Sequence, residues 1–269
     1  MKYVLLKVFI LLFIFWILCP INFIKLKIYS FLSENPKTID NKEFPKIVHL
    51  IYFPWERKTG KLKDDEDDFN HDFYKKIKNQ NPDYEIKLWT LSKVKNFVKN
   101  NYPEYSEIWK KIKHPTQTVD FFRLLVTYHY GGIYWQYDSE QKTDLMCFTP
   151  PQDKRIRVFV ESIINLPHSL RMGMKKIRKG KPEEITRIAN QCYSSFPKNN
   201  FLKYCLEKSW KNLNNLEVKN QYDILYIGAN AMLSEAFDEY KNKKEIFVTY
   251  NTEKYISFSS NGSWRLDVY

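Results

Sequence analysis

Residues 120–138 read DFFRLLVTYHYGGIYWQYD, and this stretch decides the fold. Its first half is an amphipathic helical pattern carrying Asp120 and Arg123, an acid and a base one turn apart and so on one helix face. Gly131-Gly132 ends that helix, because glycine accepts the left-handed conformation of a C-terminal cap. A short aromatic strand follows and ends in a carboxylate, Asp138. A strand-end carboxylate in an α/β fold stands at the edge of the sheet where ligands bind. An acid–base pair beside such a carboxylate is what a site for a metal ion and a sugar diphosphate requires.

Working outward, the chain alternates strand-like and helix-like segments. Lys46–Phe53 reads as a buried strand of β-branched and aromatic residues. A helix is expected over Asp68–Asn79, stopped by Asn81-Pro82, and a strand over Tyr84–Trp89. Ser92–Asn100 and Pro103–Ile112 read as helices with a cap or first-turn proline. Thr116–Tyr130 is the central helix and Ile133–Tyr137 the strand after it. Beyond come a strand at Arg157–Glu161, helices at Pro182–Ser195, Asn199–Leu213 and Asn230–Tyr240, and a strand at Ile246–Tyr250. This alternation predicts an α/β fold with a mainly parallel sheet.

The 269 residues hold 43 Lys and Arg against 31 Asp and Glu, a net charge of +12. A basic surface suits phosphate-bearing ligands and anionic membranes. It also suits nucleic acid, but no RNA-recognition or helix-turn-helix signature is present. Aromatic residues make up 17% of the chain; they read either as base- and sugar-stacking groups or as an aromatic core. The acidic run 64–68 reads as a solvated loop. Residues 3–24 are almost wholly apolar, with one Lys at position 7, and the run Val8–Ile24, about 17 residues, is at the short end for a membrane span. No small-residue cleavage site follows, which favours a signal anchor over a cleaved signal peptide. Residues 1–28 are therefore expected to be a transmembrane segment, 29–43 a short polar stem and 44–269 the folded domain. Lysines flank the apolar run on both sides, so they leave its orientation open. The cysteines, Cys19, Cys147, Cys192 and Cys205, have no zinc-like spacing and allow at most one disulfide outside the apolar run. The five histidines are scattered, and His49, inside the first strand, reads as a hydrogen-bonded core residue.

The central block resembles the DXD-motif glycosyltransferases of the family that includes yeast initiating mannosyltransferases, inositol-phosphoceramide mannosyltransferases and α1,4-galactosyl- and GlcNAc-transferases. More distantly it resembles the glucosylating domains of large clostridial toxins. The shared pattern is Asp-x-x-Arg, here Asp120 to Arg123, then Tyr130-Gly131-Gly132-Ile133-Tyr134, then Gln136-Tyr137-Asp138 in place of Asp-x-Asp. Phe44–Tyr52 and Asn81–Trp89 resemble the family's first two strands, and Gly262-Ser263-Trp264 its closing Ser-Trp, so the likeness runs over about residues 44–264.

The resemblance implies a GT-A type, Rossmann-like nucleotide-sugar domain and a retaining transferase. Such an enzyme moves a hexose or N-acetylhexosamine from a UDP- or GDP-sugar to a glycan or glycolipid. It implies a catalytic set of Asp120, Arg123 and Asp138, with Asp138 as ligand to Mn²⁺ or Mg²⁺. Donor contacts would come from Tyr52, Asp120, Arg123, Tyr134, Gln136, Ser263 and Trp264. Asn190 and Asn230 are further candidates near the acceptor or sugar. Type II topology in Golgi or endoplasmic reticulum follows from the same likeness, with no nucleic-acid partner. Taken singly, Asp138 is equally a turn cap, and Asp120–Arg123 a surface ion pair worth at most about 1 kcal/mol. The departure at Gln136 leaves three outcomes open: weaker metal dependence, altered donor choice, or a binder that no longer transfers.

Overall fold

In the computed structural model the described residues are 24–33, 35–56, 61–63, 71–112, 114–164, 185–218 and 221–257. The apolar run before residue 24, the acidic run 64–68 and Ser263-Trp264 lie outside them. Among the described residues no helix is long and apolar enough to cross a membrane.

A six-stranded sheet organises the molecule. In chain order its strands are β1 (Ile47–Ile51), β2 (Glu85–Trp89), β3 (Gly132–Trp135), β5 (Ile156–Ile164), β6 (Ile185–Ser195) and β7 (Ile246–Thr249). They lie side by side as β2-β1-β3-β6-β5-β7. A two-stranded ribbon pairs β4 (Glu140–Gln141) with β8 (Ile256–Ser257). The pairs β2–β1, β1–β3 and β5–β7 are parallel, while β6 runs antiparallel to both its neighbours. The expected α/β class and mainly parallel sheet are thus observed, with one reversed strand inside.

β6 corrects the sequence reading, which expected a helix over Pro182–Ser195. Pairing decides the matter here: the segment pairs with β5 over 185–188 and 193–195 and with β3 over 192–195, while the Ile188 N–H and the Asn190 carbonyl bond to the side chains of Ser234 and Arg123. Tertiary pairing overrides a weak local preference. The expected helix Pro103–Ile112 is also broken, into a 3₁₀ turn at Pro103–Tyr105 and a short helix at Ile108–Lys111. Ser106 Oγ donates to the Pro103 carbonyl at 2.5 Å, a local bond that competes with helix continuation.

The central helix runs Pro115–Tyr130. It begins at a capping box: His114 Nδ1 accepts from the Thr116 N–H, and Gln117 Oε1 accepts from the His114 N–H. It was expected to be amphipathic; instead Phe121, Phe122, Leu124, Leu125 and Val126 are all fully buried, so nearly every face is covered. One side packs on β1, β3 and β6, and helix Asn200–Asn215 covers the other. A helix apolar all round is a core helix. Rings from Trp89, Phe97 and Tyr130 interlock in this core, so these aromatics serve packing. A second core on the opposite sheet face gathers Phe44, Ile77, Phe148 and Phe159. Cys147, Cys192 and Cys205 are free and buried.

The turn from helix to β3 is where the backbone is most demanding. Gly131 and Gly132 both have positive φ, 69° and 86°. A Cβ on Gly132 would meet the Ile47 carbonyl oxygen at 2.4 Å, so β3 enters the sheet through a gap only glycine fits. His49 ties this turn to two strands. Trp89 Nε1 donates to His49 Nδ1 at 3.1 Å, and since indole can only donate, His49 Nε2 carries the proton to the Gly131 carbonyl at 2.8 Å.

That arrangement needs a neutral imidazole. Burial lowers the His49 pKa from 6.5 to about 4, aided by Lys87 and opposed by the Gly131 bond. A depressed histidine pKa supplies stability that is whole above the unfolded value near 6.5 and is lost as pH falls toward 4. The span corresponds to about 3 kcal/mol. In urea melts at pH about 7 and about 4, the wild type should therefore lose about 3 kcal/mol more than His49→Gln; equal losses would refute this role.

Candidate functional site

Asp120, Arg123, Tyr134 and Asn190, all candidates from the sequence, gather beside β3. Asp120 and Arg123 face each other across one helical turn, with Arg123 Nη2 2.6 Å from Asp120 Oδ1. Both are almost fully buried, at 4% and 5% exposure, so this is no solvated surface pair. Asn190, on β6, donates from Nδ2 to Asp120 Oδ1 at 3.4 Å, and its carbonyl accepts from Arg123 Nη1. The guanidinium lies 4.9 Å from the centre of the Tyr134 ring, within cation–π range. Burial drives the Asp120 pKa up, with Arg123 and Asn190 pulling it back. Burial also disfavours the Arg123 charge, but the oxygens of Tyr134, Asp120, Tyr193 and Asp138 outweigh it and hold the guanidinium charged. Tyr134, pushed up to about 12 chiefly by burial, stays a neutral phenol.

Asp138 stands three residues past the end of β3. The turn that carries it is closed by the Ser139 N–H on the Gln136 carbonyl and by Trp135 Nε1 on the Ser139 carbonyl. Gln136 also donates its backbone N–H to the Gln191 carbonyl of β6. Its side-chain Nε2 donates to Asp138 Oδ1 at 2.6 Å. Tyr137 meets Tyr52, at the end of β1, edge to face with ring centres 5.3 Å apart. A cleft of about 240 Å³ opens beside Asp138, lined among others by Phe73, Lys76 and Glu140.

A divalent cation wants several hard oxygens. Among the described residues no three His, Cys, Asp or Glu side chains converge. Asp120 is committed to Arg123, which leaves Asp138 and the Gln136 amide beside it as the oxygens to weigh against a cation. That donor set fits a metal ion only when a ligand such as a diphosphate completes the shell.

Comparison with known proteins bears on this geometry. Residues 68–156, which include Asp120, Arg123, Tyr134 and Asp138, match the family model described as "Glycosyltransferase sugar-binding region containing DXD motif". This stretch is similar to the sugar-binding region of DXD-motif glycosyltransferases. Among relatives of this DXD region, mannosyl phosphorylinositol ceramide synthase SUR1 of Saccharomyces cerevisiae is 30% identical over 112 residues, 39% of this chain and 26% of that protein. Inositol phosphoceramide mannosyltransferase 2 of Schizosaccharomyces pombe is 37% identical over 71 residues, 26% of this chain and 21% of that protein. The matches thus span about a quarter of the length of these relatives. A solved structure titled "PaToxG Glycosyltransferase" aligns with 78% of this chain and 71% of its own, at 17% identity and a TM-score of 0.43.

Two polar groups that the sequence reading did not single out lie farther along the same sheet edge as the DXD region. Glu161 of β5 and Arg187 of β6 form an ion pair of 3.0 Å, and Asn230 Nδ2 donates to Glu161 Oε2 at 3.1 Å. The signal in the sequence was a lone carboxylate inside the apolar run IRVFVESII. Asn230 opens the helix Asn230–Glu239, as expected, whereas Asn190 is on a strand and not in a helix.

Removing one partner of a buried ion pair leaves the other charge uncompensated, at a cost of about 3–5 kcal/mol. Asp120→Ala should lose that much in urea denaturation. The double variant Asp120→Ala/Arg123→Met should be more stable than Asp120→Ala alone; a double variant weaker than the single would show that the pair is not the source of the loss.

Proposed function

We propose that the chain is a membrane-anchored, retaining glycosyltransferase with a GT-A type domain over residues 44–269. It moves a hexose or N-acetylhexosamine from a UDP- or GDP-sugar to a glycan or glycolipid. The observation that carries this reading is the buried Asp120–Arg123 pair, steadied by Asn190 and Tyr134, in the same matched region as Asp138. A purely structural pair gains little from such burial, since replacing it with apolar groups is often neutral or stabilising. The names of the yeast relatives favour mannosyl transfer and a lipid-linked inositol acceptor. Residues 1–28 would anchor the chain in Golgi or endoplasmic reticulum membranes, with 29–43 as stem and no nucleic-acid partner.

Each residue then has a physical task. With its first oxygen held by Arg123 and Asn190, Asp120 accepts a donor-sugar hydroxyl through the second. Arg123, kept charged, draws the sugar and phosphate oxygens toward the sheet edge. Tyr52 and Tyr137 wall the nucleobase side. Asp138, with Gln136, would hold Mn²⁺ or Mg²⁺ against the diphosphate. A divalent cation there supplies positive charge as the diphosphate departs. Ser263 and Trp264 would cover the diphosphate and exclude water that could hydrolyse the donor. In the step itself the acceptor oxygen bonds to the anomeric carbon on the face that the diphosphate oxygen leaves. The hydroxyl proton passes to that leaving oxygen.

The hydrogen bond from Gln136 to Asp138 favours a second reading, a nucleotide-sugar binder that no longer transfers, because the amide occupies an oxygen that a cation would take. One experiment separates the two. Purified full-length chain is offered UDP- and GDP-sugars with Mn²⁺, and release of nucleoside diphosphate is followed. The transferase reading requires turnover of one donor, cut by at least about a hundredfold in Asp138→Ala. Equal rates with and without that carboxylate would end the metal role, and nucleotide binding without any turnover would favour the binder. Gln136→Asp adds a second carboxylate and should tighten Mn²⁺; an unchanged titration would place residue 136 away from the cation.

A further inference from the structure

The ladder between β5 and β6 is regular near its start and then slips twice. Val158 stands opposite Tyr193, but Val160 stands opposite Ile188 and Ser162 opposite Arg187. Ala189 to Cys192 on β6 therefore face Phe159 alone, and on β5 Glu161 is the extra residue between two paired ones. Bulges of this kind re-aim side chains and are frequent beside active sites. The first bulge carries Asn190 to Asp120. The second carries Glu161 to Arg187 and Asn230.

The two groups are neighbours along one edge. The chain before helix Asn230–Glu239 touches both: a Cβ on Gly228 would lie 3.0 Å from Asp120 Cβ, and two residues later Asn230 bonds Glu161. The Arg187 guanidinium and the Asn230 amide converge on a single carboxylate oxygen, Oε2. The Glu161 side chain stays 30% exposed while Arg187 is 13% exposed, so the anchor is covered and the carboxylate is reachable. Asn230 is buried, and its Oδ1 has no hydrogen-bond partner. A buried acceptor left unpaired costs free energy that a ligand hydroxyl would recover. Arg187 Nε lies 3.0 Å from Glu161 Oε2 without hydrogen-bond geometry, so ion pairing alone explains neither that nitrogen nor the Asn230 amide oxygen.

We infer that Glu161, oriented by Arg187 and Asn230, is the polyol-binding carboxylate of the acceptor subsite, taking hydrogen bonds from vicinal hydroxyls of a sugar or cyclitol. This rests on the transferase reading above and adds the acceptor side to it. A carboxylate suits the task because charge-assisted O–H···O⁻ bonds are short and strong. Asn230 Oδ1 supplies one more acceptor for a neighbouring hydroxyl. No proton or covalent bond moves at Glu161, which is a binding and positioning residue.

The probe is myo-inositol, a ring of vicinal hydroxyls, added to full-length chain holding UDP or GDP and observed by saturation-transfer NMR. Wild type should show transfer to myo-inositol. Glu161→Gln should weaken its binding about tenfold or more. Glu161→Asp, which keeps the charge, should fall between the two, and the Kd of the nucleotide should stay within about twofold in both. Unchanged myo-inositol binding in Glu161→Gln would overturn the inference. So would wild type that does not bind myo-inositol, or a variant that loses nucleotide and polyol together. Failure of the transferase reading would appear separately, as no nucleoside diphosphate released by wild type from any donor.

Discussion

How closely the turn after the central helix is drawn onto β1 governs the rest of the structure. Gly132 approaches the Ile47 carbonyl within a distance no side chain permits, and His49 clamps the Gly131 carbonyl from the same strand. The parallel register of β3 on β1, with Val48 opposite Ile133, follows from that contact. Register in turn sets where the strand ends, and so where Gln136 and Asp138 emerge. It also fixes the last turns of the helix, and through them the height of Asp120 and Arg123 above the sheet.

Electrostatics then work against a dry background. Asp120 and Arg123 are removed from water together, and each compensates the charge of the other. Asn190, the Tyr134 ring and Asp138 add to the pair without replacing it. The result is one cation and two carboxylates within a short stretch of sheet edge, Asp120 and Arg123 on the central helix and Asp138 on the turn after β3. Sites built on helices and strands hold their geometry better than sites on loops.

Much of this was legible in the chain because local and tertiary preferences agree there. The glycine pair, the helix before it and the aromatic strand after it all appear within a residue or two of their expected bounds. β1, β2 and β7 are equally plain, being short apolar runs between turn residues. The segment that became β6 was misread because its sequence carries no strand-length alternation of its own, and its conformation is imposed by two neighbours. That single error hid the relation of Asn190 to Asp120 and the place of Arg187 beside Glu161, since both depend on which strands lie side by side. The buried character of the central helix was missed for a similar reason: only the packing of helix Asn200–Asn215 reveals that its polar-looking face is covered.

The paired bulges have a consequence for how such a site can change. At the helix end, the chain is pinned on both sides of the glycine pair, and only the identity of side chains can vary. At the β5–β6 end, the ladder already absorbs surplus residues between Val158 and Ser162 and between Arg187 and Tyr193 without losing its flanking register. Insertions or deletions there would swing new groups toward the edge while the flanking pairs stay in step. The molecule therefore combines a length-invariant half, suited to a fixed ligand, with a length-tolerant half that can be refitted to different ones.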